Sequence, residues 1–434
     1  MIFAGGSNLE SGCANSGLAP ISAYRQARKI NQTDEEESYM LIEIHILQNH
    51  APSNLNRDDT GSPKDCIFGG VRRSRISSQC LKRSARRSSL FTGAFSEGEL
   101  AMRTRKLPDQ VKKILLSRGI AEEYANIAAI KATGFGTKEG KERPKELNTA
   151  QTMFLTEKDV VAVADAMTEA IKECKIPADF EKIAAKDLQA HASLKGWRPI
   201  TPDIALFGRM TTSNAFRDVE ASMQVAHAIS TNKMDHEFDY FTAVDDLQKK
   251  DEEDESAGAD MIGDVEFNSA CYYKYFSLDF KALVDNLAGP APEQDGEDQK
   301  KYNDTRAAAR EVARNTMTDM LRAIIYTTPS GKQNSFAAHQ LPDAILVEVR
   351  LEPIPVSYAN AFLRPASPRG EKDLMDDSLD KLKDHVSRIT RKFSLKPIAR
   401  YWFSASDYQM PDTTACDTMD ELTEALKQLV DKGD

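Results

Sequence analysis

The chain of 434 residues contains no run approaching the roughly 18 consecutive apolar residues of a membrane-spanning helix. Its first residues lack the cationic start and apolar block that a secretory signal requires. Cysteine is sparse: Cys13, Cys66, Cys80, Cys174, Cys271 and Cys416 are scattered, with no C-x-x-C pair. That spacing argues against a zinc site and for reduced thiols in a cytosol. No G-x-x-x-x-G-K-[ST] spacing occurs, which disfavours a nucleotide-hydrolysing P-loop. No internal repeat is visible, and positive charge is in the minority, with 57 Lys and Arg against 67 Asp and Glu, for a net charge of −10. The remainder, 41% hydrophobic and 29% charged, is ordinary for a soluble protein with a sizeable core and more than one module.

Against this acidic background the stretch Lys64–Arg87 reverses sign. It carries eight cations (Lys64, Arg72, Arg73, Arg75, Lys82, Arg83, Arg86 and Arg87) and one anion, Asp65. The commonest reason for such a reversal is a polyanion. Interleaved Ile67, Phe68, Ile76 and Leu81 mark a folded element, since a disordered basic arm would lack apolar anchors. A helix is expected to start with Ser77 or Ser78 as its cap and to run through Gln79–Ser88. On it Lys82 and Arg86 are four apart, as are Arg83 and Arg87, giving a basic face opposite Cys80, Leu81 and Ala85. Gly69-Gly70 permits close approach of another backbone, and the helix start offers free amides to an anion. The competing interpretation is a solvated helix, or one that pairs with the chain's own acidic segments.

Elsewhere the pattern is mixed α and β. Tyr39–Gln48 alternates at strand period, with Ile42, Ile44 and Ile46 facing the core. Residues 95–200 are mainly helical, from the spacing of Val111, Leu115, Ile120, Tyr124, Ile127 and Ile130 and of Val160, Val163, Ala164, Met167 and Ile171. Between these groups Gly134–Lys145 is expected to be an exposed loop. Phe267–Leu278 is strand-like, but no clear RNP1 consensus accompanies its tyrosines. Gly289–Asp298 reads as a linker, Thr305–Tyr326 as a helix and Ile345–Val349 as the final strand. Asp251–Glu255 is an acidic run expected to be a solvated loop.

The order of Ile44-His-Ile-Leu47, Leu55-Asn-Arg-Asp-Asp59, Ile67-Phe-Gly-Gly70, Arg72-Arg73, Arg75-Ile-Ser-Ser-Gln79 and Leu81-Lys-Arg83 resembles the CasC-type backbone subunits of type I-E CRISPR Cascade surveillance complexes. The likeness continues through Asp203–Met210, Ala226–Thr231, Asp239–Leu247, Pro329–Asn334 and Ala359–Phe362. It implies an α+β fold with an RRM-like (ferredoxin-like) palm, a helical fingers insertion and a β-hairpin thumb. The corresponding boundaries are a disordered extension at 1–38, a first palm part with the basic loop and helix at 39–94, fingers at 95–200, a thumb at 201–263, and a second palm part with a C-terminal helical segment at 264–434. The extension would be either genuine or the product of an upstream start codon chosen in error.

The resemblance further implies a non-enzymatic, cytoplasmic protein without cofactor or metal. Copies of it would polymerise along a CRISPR RNA, protect that guide, and present it in segments for pairing with complementary DNA in antiviral defence. Its partners would be the guide, target DNA, copies of itself and other Cascade subunits. Arg57, Lys64, Ser77, Gln79, Lys82 and Arg86 fall where the family's palm contacts RNA, and the basic stretch adds Arg72, Arg73, Arg75 and Arg83. Met210 and Phe241 take the places of the apolar clamp and wedge around a displaced base, where a thioether and a ring can replace lost stacking. The rival interpretation is a CRISPR RNA-processing endoribonuclease with His45 or His50 moving protons. His45 lies in an expected strand, where a satisfied, half-buried histidine is the commoner situation.

Overall fold

The computed structural model describes residues 39–243, 261–292 and 296–432. The extension at 1–38 and the acidic run Asp251–Glu255 lie outside the described residues.

The strands are β1 (Leu41–Ser53), β2 (Asp65–Phe68), β3 (Val71–Ile76), β4 (Met102–Thr104), β5 (Met153–Leu155), β6 (Met223–Val225), β7 (Ala228–Ser230), β8 (Glu237–Ala243), β9 (Met261–Asp279), β10 (Ala344–Arg350), β11 (Ala399–Ser404) and β12 (Thr414–Ala415). The longer helices are α1 (Ser78–Arg86), α2 (Leu107–Ser117), α3 (Glu122–Thr133), α4 (Glu157–Glu173), α5 (Phe280–Ala288), α6 (Glu297–Tyr326), α7 (Leu374–Phe393) and α8 (Met419–Asp431). One large sheet runs β12-β11-β10-β1-β9-β7-β3-β2, with β6 and β8 also paired to β9. β1 sits at its centre, antiparallel to both neighbours: Ile44 lies opposite Val347 on one side and Phe276 on the other.

Period-two alternation gives β1 two buried faces. Ile42, Ile44 and Ile46 join Phe276, Leu278, Ile345 and Val347 under α5, α6 and α8. The opposite face contributes Leu47, Tyr273, Tyr275, Leu346 and Trp402, which pack with Leu379, Leu382 and Val386 of α7. Glu43 and His45 fall on this second face and are 0% and 1% exposed. A buried carboxylate must be paired. Glu43 and Glu348 meet the guanidinium of Arg350, and Arg400 Nε lies 2.5 Å from Glu348. Tyr358 donates to Glu348 at 2.7 Å and the Val356 amide to Glu43 at 2.6 Å, so two carboxylates and two guanidiniums balance in a hydrogen-bonded cluster.

The helical insertion is a separate core in which α2, α3 and α4 enclose Phe135, Phe180, Met153 and Leu155. Its α4 begins with a reciprocal capping box between Thr156 and Asp159. β4 and β5 form a two-stranded ribbon beside it. Further along the chain, β8 and the first part of β9 make a hairpin, from Glu237 opposite Phe267 to Ala243 opposite Met261.

Several expectations need correction. Ile345–Val349 lies within β10 but is not the final strand: β11 and β12 add to its edge. The helix expected at Thr305–Tyr326 starts at Glu297, inside the expected linker. Gly134–Gly136 is a buried 3-10 turn and not an exposed loop. A Cβ at Gly134 would lie 2.6 Å from Gly140 O, so a neighbouring turn is packed directly on it. A boundary at 201 also assigns Pro202–Phe207 to the thumb, whereas that short helix places Ala205 and Leu206 in the sheet's core.

His45 donates or accepts at Tyr273 Oη over 2.9 Å, and burial, aided by Arg400, pushes its imidazole down to about 3. Burial, followed by Lys274, also holds His50 at about 3. Both therefore stay neutral in the folded chain while an unfolded imidazole takes up a proton near pH 6.5. The stability they contribute is complete above that pH and is lost as pH falls toward 3, at about 1.4 kcal/mol per pH unit for each histidine. Urea unfolding between pH 7 and 4.5 is expected to show this loss, with a visibly shallower slope for His45→Gln. Identical slopes for the two proteins would contradict the assignment.

Candidate nucleic-acid interface

The basic stretch folds as a β-hairpin followed by a capped helix. Ser77 is extended and its hydroxyl accepts from the Cys80 amide at 3.3 Å, so Ser77 and not Ser78 is the cap. The Asn56 side chain in turn accepts from the Ser77 amide at 2.8 Å, which ties the preceding loop to the helix start. The same loop donates Lys64 N to Asn56 O and receives Arg75 N at Lys64 O, both at 2.8 Å. Leu81 and Ala85 bury one side of α1.

The other side of α1 opens on a cleft of about 500 Å³ lined by Gln79, Lys82, Arg83, Arg86 and Arg87, with Arg103, Phe154 and Phe207 from other elements. Among the described residues that line it there are five cations and no carboxylate. Arg103 and Phe154 face each other across the β4–β5 ribbon. The guanidinium carbons of Arg86 and Arg103 lie 5.2 and 5.3 Å from the Phe154 ring centre, and Lys82 Nζ lies 5.8 Å from that of Phe207. These stems cover aromatic surface while their charges crowd together. Burial, and then Arg103, hold the Lys82 ammonium below its ordinary range. Burial likewise lowers Arg86, opposed by buried Asp203, which touches it at 3.4 Å from behind the cleft. Crowded, half-desolvated cations of one sign are relieved by a polyanion.

The candidate residues divide. Gln79, Lys82, Arg83 and Arg86 come together in the cleft. Lys64 and Arg75 are not among its lining residues: they are joined to each other through the Arg75 amide and the Lys64 carbonyl, and Arg75 lies 3.0 Å from His227 Nδ1. Arg57 is exposed on the loop, and exposed Arg72 pairs with Asp65. Ser77 is 6% exposed and its oxygen serves the helix cap. Arg73 is a correction. It is 0% exposed and donates to Ser230 O, Thr231 O and Phe362 O at 3.0, 2.7 and 2.6 Å, so it cannot reach a phosphate. Gly69 completes that junction: at φ +62 its missing Cβ would lie 2.0 Å from Leu363 O, so the close approach is to the chain's own backbone. Arg103, Phe154 and Phe207 went unrecognised in the sequence. The run Met102-Arg-Thr-Arg-Lys106 signalled Arg103, whereas nothing local marked either ring.

Met210 and Phe241 stand apart from the cleft. Met210 is 94% exposed. Phe241 projects from β8 opposite Gly263, 36% exposed, with its ring 2.7 Å from where a Cβ on that glycine would stand. Phe238 and Tyr240 on the same strand are each 65% exposed. Among the described residues no group of three His, Cys, Asp or Glu side chains is placed to hold a metal ion. No described helix is long and apolar enough to cross a membrane.

The fold and cleft thus define a mixed α+β protein with a large sheet and a cationic groove at the junction of sheet and helical insertion. The model of the CT1975-like protein family matches residues 42–432, and the chain belongs to that family. It is similar, at 25% identity and a TM-score of 0.71, to a chain in a structure described as a CRISPR RNA-guided surveillance complex, pre-nicking. The match covers 90% of this chain and 100% of that one. It also shares the fold of a chain in a CRISPR RNA-guided surveillance complex, at 22% identity and TM-score 0.62, over 90% of this chain and 99% of the other. No curated protein matches the sequence.

The division between Arg73 and its neighbours is testable by stability. Arg73→Met is expected to cost on the order of 3 kcal/mol, because it strands buried carbonyls that now accept from a charged donor. Arg83→Ala, on the exposed side of α1, is expected to stay within about 0.5 kcal/mol of the parent. Thermal unfolding of the two variants measures the contrast, and equal melting temperatures would refute it.

Proposed function

We propose that this chain is a CasC-type backbone subunit of a type I-E Cascade complex. It binds the CRISPR RNA, and successive copies polymerise along the guide with the other subunits of the complex. The observation that carries this is the cleft of five cations whose described lining holds no carboxylate, supported by the likeness to chains of CRISPR RNA-guided complexes. The palm in this account is the large sheet, the fingers are the α2–α4 core, and the thumb is the β8–β9 hairpin. Ribose-phosphate lies along Lys64, Arg75, Lys82, Arg86 and Arg103, and is held by charge without regard to base identity. Met210 and Phe241 contact a displaced base, so that target DNA pairs with the guide in segments. Sequence specificity then resides in guide–target pairing, as in other RNA-guided effectors.

The role proposed is non-enzymatic. The nuclease alternative needs an accessible proton carrier, and His45 and His50 are 1% and 0% exposed. Both are held neutral beneath the sheet surface. Incubation of the purified protein with repeat RNA is expected to leave the RNA intact, and cleavage abolished by His45→Ala would overturn the non-enzymatic role.

Two measurements test the binding account. Lys82→Ala with Arg86→Ala and Arg103→Ala is expected to weaken guide RNA binding and flatten the dependence of log K on log salt by about 0.7 for each phosphate no longer neutralised. An unchanged salt slope would refute phosphate binding by these side chains. Phe241→Ala is expected to spare RNA affinity while weakening capture of complementary DNA, on the order of ten-fold for the removal of one stacked ring. Wild-type DNA capture by that variant would remove the wedge role.

A further inference from the structure

Met210 raises a physical question that its own exposure does not answer. A fully exposed methionine on a free loop samples many positions, yet the backbone beneath this one is heavily constrained. Arg209 and Val219 exchange both amide–carbonyl bonds at 2.8 Å, closing the loop at its neck. Thr211 N donates to Asp218 Oδ1 at 2.7 Å, and the Gln189 carboxamide oxygen accepts from Ser213 and Asn214 at 3.2 Å each. Two guanidiniums hold the rest. Arg198 donates to Ala215 O at 2.7 Å and Arg209 to Arg217 O at 2.9 Å.

Both guanidiniums end on one carboxylate. Asp159, 2% exposed in the first turn of α4, takes Arg198 Nε on Oδ1 at 2.9 Å and Arg209 Nη1 on Oδ2 at 2.6 Å. The capping box fixes Asp159 itself, since its amide donates to Thr156 Oγ1 at 3.0 Å and Oδ2 accepts from Thr156 N at 3.1 Å. Burial opposes ionisation here, but Arg209, the Thr156 amide and Arg198 together hold the carboxyl below the usual carboxylate range.

We propose that Asp159 is a positioning residue for Met210: through Arg209 and Arg198 it holds the 209–219 loop rigid, so the thioether is presented to a displaced base before that base arrives. The proposal rests on the base-contacting role of Met210 proposed above. Its physical content is preorganisation, because a fixed side chain loses little conformational freedom when it binds. Arg209 is adjacent to Met210 in the chain, so any rotation of the Arg209 backbone moves the methionine directly.

A double-mutant cycle tests it on the full chain assembled with a guide RNA, reading capture of fluorescently labelled complementary DNA. Met210→Ala is expected to weaken capture about ten-fold, as for the removal of one apolar group stacked on a base. Asp159→Asn is expected to reproduce most of that loss, and the double variant to be no worse than Met210→Ala alone. Guide RNA affinity should not change in any of them. Arg209→Lys, which keeps the charge on Asp159 but loses the fork that also reaches Arg217 O, should behave like Asp159→Asn and serves in its place if that variant does not fold. Additive losses, or wild-type capture by Asp159→Asn or the folded Arg209→Lys while Met210→Ala is impaired, would overturn the positioning role alone. Wild-type capture by Met210→Ala would instead overturn the base-contacting role, and the positioning role with it.

Discussion

Repulsion among Lys82, Arg83, Arg86, Arg87 and Arg103 is the constraint to which the rest of the structure answers. In a chain with a net charge of −10, these five cations share one cleft whose described lining holds no carboxylate. The fold tolerates the crowding by giving the side chains apolar beds: the Phe154 ring is in reach of two guanidiniums and Phe207 of an ammonium. Asp203 stands behind Arg86, partly compensating one charge without entering the groove. The remaining repulsion is a standing attraction for a phosphate chain.

A groove of this kind needs walls that do not yield. One wall is α1, whose start is fixed by the Ser77 cap and the Asn56 side chain. Another is the β4–β5 ribbon, which presents Arg103 and Phe154, while Arg73 fastens the β2–β3 hairpin that precedes α1 to the turn at Phe362. The sheet behind them is stiffened by the buried cluster of Glu43, Glu348, Arg350 and Arg400, where removing any one partner leaves an uncompensated charge. Neutral His45 fills the space beside this cluster and adds no charge to it.

The sequence made α1 legible because its signals are local: a hydroxyl cap, cations four apart and a thin apolar stripe. β1, β9 and β10 were legible for the same reason, through alternation or an aromatic and aliphatic run. Arg72 and Arg73, by contrast, look alike in sequence and have opposite fates. What buries Arg73 is a carbonyl 289 positions away, and no local pattern announces such a pairing. The floor of the cleft was hidden similarly, since Phe154 and Phe207 reach it from separate elements. β11 was missed because six residues, Ala399–Ser404, follow a long amphipathic helix and precede another. The placement of Met210 and Phe241 in a base-contacting role came from family resemblance, whereas their exposure is a property only the structure supplies.

Lysine footprinting reads the central claim most directly. The full-length protein is acetylated with and without bound guide RNA, and modification at each lysine is measured by mass spectrometry. The account predicts that RNA protects Lys82 and Lys64 while Lys392, exposed on the last turn of α7, reacts equally in both samples. Equal reactivity of Lys82 with and without RNA would contradict it.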